Sequence, residues 1–151
     1  MRRLAALFVL ALASCQEPPK KASLDTVVQS LAELHTWDPS TEARGQFGYD
    51  MVMARAEEPH MLHMLAAYIA DETPTQIHEP KFDIRVTRGD VCFFLLLKLT
   101  GLDWKKEFFE DGAYMSSLLS NPIFCIRWKD GMASRRKVQA RLAKLLPPLD
   151  E

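Results

Sequence analysis

Outside the amino terminus, the longest apolar run is Val91 to Leu99, VCFFLLLKL, in which seven of nine residues are plainly apolar, Cys92 also buries readily and Lys98 alone is charged. A run with so little polar surface belongs at the centre of a core. Just before it, Thr87-Arg88-Gly89-Asp90 places a hydroxyl at a helix start and a carboxylate three residues on, the capping-box spacing, with the carboxylate also favoured by the helix dipole. Gly101 follows the last apolar turn and suits a left-handed helix end. The pattern therefore predicts a central helix from Thr87 to Thr100.

On its amino-terminal side, Leu24, Val27, Val28, Leu31 and Leu34 repeat at helical spacing behind a capping Ser23, predicting a helix to about His35. Trp37-Asp38-Pro39-Ser40 interrupts it, and a weaker helix is expected over Thr41 to Ala56, where Gly45 and Gly48 lower helical propensity. Pro59 suits the first turn of a third helix to Ile69, with Leu62, Leu65, Ala66 and Ile69 on one face. From Thr75 to Val86 the period shortens to alternation around Glu79-Pro80-Lys81, predicting a small hairpin or extended loop.

Beyond the central helix, a piece starting near Trp104 carries Phe108 and Phe109, and Gly112 interrupts it before Tyr114 to Leu119. Asn121-Pro122 opens a short aromatic piece, Ile123 to Trp128, and Asp130-Gly131 turns the chain. The last helix is expected over Ala133 to Leu146, burying Val138, Leu142, Leu145 and Leu146 and stopping before Pro147-Pro148.

The amino terminus follows different rules. Arg2 and Arg3 precede an apolar run from Leu4 to Ala13, long enough for a secretory h-region and too short to span a bilayer. Export would remove residues 1–14 and leave 137 residues, one domain's length, with 17 basic against 20 acidic residues and a net charge of −3. That charge gives no reason to expect a nucleic-acid partner. At 48% hydrophobic and 26% charged, the composition is that of a globular chain.

Leu12-Ala13-Ser14-Cys15 resembles the lipobox of bacterial lipoproteins, in which cleavage before the cysteine is followed by its acylation. The resemblance implies a mature chain anchored through lipid on Cys15, and Gln16 in place of aspartate implies the outer membrane, periplasmic face. Residues 15–22, with Pro18-Pro19, then read as an extended tether, and 23–151 as the folded domain. A second resemblance covers Asp71 to Trp104, 34 residues. Asp71-Glu72-Thr73-Pro74-Thr75, a short insertion, Val86 to Val91 and a Leu-rich helix ended by Thr100-Gly101 are similar to segments of bacterial proteins built on HEAT-like paired helices. It implies a fold and no activity. No second copy follows, so a compact bundle is expected over a repeat array. The expected class is all-α, five to six helices in a compact HEAT-like or orthogonal bundle with at most one small β-hairpin.

Marks of common catalysts are missing: the sequence has no G-x-S-x-G, P-loop, G-x-G-x-x-G or H-E-x-x-H. Its carboxylate clusters, Glu57-Glu58, Asp71-Glu72 and Glu107-Glu110-Asp111, read as helix-end or solvated charges, and no cofactor is expected. Cys92 and Cys125 are an even pair in an oxidising compartment, open to a disulfide or to separate burial. His60, His63 and Met64 share one helical face and offer imidazole and thioether to a soft ion such as copper, or else edge and fill the core. Arg127, Lys129, Arg135, Arg136, Lys137, Arg141 and Lys144 form a basic stripe, facing anionic headgroups, an acidic partner or water alone. The expected function is a lipid-anchored, non-catalytic adaptor that binds another envelope protein, with Ile77, Phe82 and Trp104 as its contact surface. A periplasmic copper binder and an inhibitor of a cell-wall enzyme are the alternatives.

Overall fold

The structure, a computed structural model, describes residues 22–38, 41–79, 83–108 and 132–149. The first helix, α1 (Leu24–Gln29), starts where the Ser23 hydroxyl accepts the Thr26 N–H, and tightens into a 3-10 turn at Ser30–Glu33. Periodicity alone predicts one continuous helix to about His35, and the chain leaves α-helical geometry at Ser30 instead. α2 is shorter than expected, Phe47–Ala54, because residues 41–46 form turns in which Glu42 and Gly45 both take positive φ. α3 (Pro59–Ala67) begins at its proline as anticipated.

Pro74–Glu79 (β1) and Ile84–Thr87 (β2) pair antiparallel, with an irregularity in register between Pro74 and His78. β2 runs directly into α4 (Arg88–Thr100), whose capping box is complete: the Thr87 hydroxyl accepts the Asp90 N–H and Asp90 accepts the Thr87 N–H. Gly101 closes α4 at φ 67°. A short α5 (Trp104–Phe108) follows, and α6 (Met132–Leu145) completes the described residues. The expected pieces Tyr114 to Leu119 and Ile123 to Trp128, together with Phe109, lie outside them.

The all-α class is corrected by these elements. The hairpin is a constituent of the core rather than an appendage on a helical bundle: Thr75, Ile77 and Val86 are buried, the Thr75 hydroxyl donates to the Val86 carbonyl, and Gln76 N–H donates to the Leu34 carbonyl at the end of the 3-10 turn. Alternation at Thr75-Gln76-Ile77-His78 turns one face of β1 inward, and that face needs helices to cover it. The chain is mostly helical with a two-stranded antiparallel sheet.

α4 passes through the middle, as its composition requires. Val91, Cys92, Phe93, Leu95 and Leu96 are all buried, and α3 packs along it. α1 lies against both α2 and α3, and α6 against α3. Met61, Leu65 and Ala66 form the inner face of α3, with Ile69 just beyond it, while Leu62, expected inside, is half-buried.

Candidate interaction surface

Charged groups in the interior are tolerable only with partners. Three clusters supply them, two inside and one at the edge of the core, and Arg88 Nε is the one buried side-chain polar atom among the described residues without a hydrogen bond. In the first, Arg135 of α6 is 3% exposed and Asp90 of α4 is fully buried, with their side chains 2.6 Å apart. Arg135 also donates to the Ile69 carbonyl (3.0 Å) and the Thr87 hydroxyl (3.1 Å). The guanidinium thus joins the end of α3, the cap of α4 and its own helix. Gly89 makes room for this: a Cβ there would lie 2.5 Å from Ile69 O, 2.6 Å from Asp71 O and 2.7 Å from Arg135 Nη1.

In the second cluster, Arg88 pairs with Asp71, donates to the Gln29 carbonyl and lies 4.8 Å over the Tyr68 ring, whose hydroxyl donates to Asp25. Burial alone would raise the Asp71 carboxyl, but hydrogen bonds from Arg88 and Thr73 hold it below its ordinary value. The hydrogen bond to Asp25, helped by burial, raises the Tyr68 phenol. In the third, Glu42 accepts from both Lys98 and the Tyr49 hydroxyl, and the Tyr49 ring meets Trp37 edge-to-face. Burial again opposes ionisation of Glu42, and its Lys98 and Tyr49 partners outweigh it. Carboxylates stabilised as anions by fixed cations are poor general acids at neutral pH. These clusters hold elements together.

The residues singled out from sequence divide as follows. Cys15, Phe82 and Cys125 lie outside the described residues. Ile77 is 7% exposed and serves the core, so it is withdrawn from the contact surface; the inward face of β1 that buries it is the physical reason. Trp104 is half-buried against the core, and no common surface forms from the two. Cys92 is a free thiol at 0% exposure, and burial pushes its pKa far up, which makes it unreactive. His60 is exposed, His63 Nε2 sits 2.8 Å from the Pro147 carbonyl, and Met64 packs partly on the core. Among the described residues no three His, Cys, Asp or Glu side chains gather as a metal site. The basic stripe also separates: Arg135 leaves it for the interior, while Arg136, Lys137 and Lys144 remain exposed and Arg141 pairs with Glu107 at 3.5 Å.

The residue that sequence reasoning missed is Phe47, at 67% exposure far the more open of the two large exposed apolar side chains among the described residues. Its backbone is firmly held. The Gln46 side chain reaches back to accept the His35 N–H (2.9 Å) and to donate to the Thr36 carbonyl (2.7 Å), while Gly45 N–H donates to the Asp50 carboxylate. One residue on, Gly48 lies so close to the 3-10 turn that a Cβ would come within 2.7 Å of Ser30 O. Tyr49 and Val52 point inward at 2% and 0% exposure, which turns Phe47 out to solvent with half-buried Met51 one turn away on the same face. The phase of Tyr49 and Val52 in the sequence was the available signal. An aromatic side chain presented on a held backbone makes an effective binding anchor, because the segment that carries it needs no ordering on docking.

No family model matches the chain, and comparison with curated proteins and with solved structures also finds no match.

Proposed function

We propose that this protein is a lipid-anchored, non-catalytic adaptor of the bacterial envelope, tethered through Cys15 and engaging another envelope protein through α2 around Phe47. The observation that carries the contact assignment is Phe47 itself, a large apolar side chain left 67% exposed on a backbone secured from both sides. The ionic clusters support a role without catalysis, since the carboxylates of Asp71, Glu42 and Asp90 are each held by a cation of the fold. Full burial of the exposed part of Phe47 would remove about 130 Å² of apolar surface from water, worth about 3 kcal/mol of binding.

A photo-crosslinking aromatic residue substituted at Phe47 and irradiated in intact cells tests the reading. One discrete protein adduct is expected at this position and none at exposed Gln76 on β1. Adducts at Phe47 no different from those at Gln76 would refute the assignment. With the partner in hand, Phe47→Ala should weaken binding about a hundredfold.

A further inference from the structure

The outer face of α6 has a different character from α2. Its inward positions, Arg135, Val138, Leu142 and Leu146 just past its end, are buried. Arg136, Lys137, Arg141 and Lys144 fall on the exposed side, and the helix sequence MASRRKVQARLAKL contains no acidic residue. Glu107 of α5 pairs with Arg141 at 3.5 Å and leaves that guanidinium half-exposed. In a mature chain of net charge −3, this face is a local reversal of sign.

Its position relative to the anchor gives the reversal meaning. Arg55 pairs with Glu58 at the start of α3 and donates to the Ala22 carbonyl, so the described chain begins against the amino-terminal end of that helix. Little more than one turn along α3, His63 meets the Pro147 carbonyl just beyond α6. The carboxyl end of α6 therefore lies near the place where residues 15–21 join the domain. Seven residues reach at most about 25 Å. An anchor at Cys15 would keep Ala22, where the domain begins, within that distance of the bilayer, with the carboxyl end of α6 on the same side of the domain.

We propose that the exposed basic face of α6 docks on anionic phospholipid headgroups of the leaflet that holds the Cys15 acyl chains, laying that side of the domain on the membrane. This deepens the anchored-adaptor reading and rests on it. An acyl anchor at a single residue does not set the orientation of the domain, whereas a second, electrostatic contact does.

The test uses the chain from residue 15 carrying Cys15→Ser, so that no acyl chain contributes, with sedimentation on vesicles of phosphatidylcholine or of equimolar phosphatidylcholine and phosphatidylglycerol. Binding is expected on the anionic vesicles only and should be released by high salt. Arg136→Ala with Lys144→Ala should weaken it about fivefold per charge, or about twenty-five-fold together. Both side chains are exposed, so an unchanged urea midpoint is expected alongside. No binding to anionic vesicles, equal binding to neutral ones, or a double variant that binds like the parent would each overturn the docking. Acylation of Cys15 is read separately from the mass of the native amino-terminal peptide. An acylated protein whose Cys15→Ser form ignores anionic vesicles loses the docking and keeps the anchor, while an unacylated protein that binds them loses the anchor.

Discussion

Replacing Arg135 by methionine gives the clearest quantitative test of the fold. The variant keeps the length and apolar stem of the side chain while removing three contacts at once, to Asp90 (2.6 Å), the Ile69 carbonyl (3.0 Å) and the Thr87 hydroxyl (3.1 Å). Asp90, at 0% exposure, is left as a buried carboxylate without its counter-charge. Breaking one half of such a pair costs about 3–5 kcal/mol. A domain of this size holds about 5–15 kcal/mol in total, so the variant should lose a large share of its stability and about 10–20 °C in Tm. Urea unfolding followed by circular dichroism measures it, with Arg136→Met, one residue away and exposed, expected within about 0.5 kcal/mol of the parent. Adding Asp90→Ala to Arg135→Met should cost less than the sum of the single changes by about 1.5–3 kcal/mol, the signature of a direct pair. Equal, small effects of Arg135→Met and Arg136→Met would refute the reasoning, because Arg135 would then lie on the surface and α6 would not be seated as described.

Two further outcomes follow from the same contacts. Gly89→Ala would force a methyl group against the Ile69 and Asp71 carbonyls at 2.5 and 2.6 Å, and should cost about 3 kcal/mol in the same urea assay. Asp71 and Glu42 titrate below their ordinary values of 3.8 and 4.5 in the folded protein. The unfolded chain therefore takes up protons first as pH falls, and the contribution of these groups is full above those values and drains as pH drops through the lowered ones. An Asp71→Asn, Glu42→Gln double variant should be less stable at neutral pH and show a flatter acid limb in its stability–pH curve; parallel curves would contradict the pairing.

Where local signals agreed, the sequence could be read directly. α4 has its hydroxyl, carboxylate, apolar run and terminal glycine in the required order, and all of them act as that order implies. Alternation around Ile77 correctly indicated an extended pair, but it also carried an inward phase, and covering that phase made the hairpin part of the core. Arg135 was hidden by its neighbours. It lies three residues before Val138 and seven before Leu142, on the inward face, but within Arg135-Arg136-Lys137 its charge suggested water. Its partner Asp90 lies 45 residues earlier, and no local pattern connects them. Phe47 carries no mark of its own, and only the phase set by Tyr49 and Val52 turns it outward.

The most direct test of the functional account is the mass of the amino-terminal peptide from protein isolated with the cell envelope. Cleavage after Ser14 and a diacylglyceryl group with an amide-linked acyl chain on Cys15 are the predicted result. An unmodified terminus at Met1, recovered from the soluble cytosolic fraction, would contradict it.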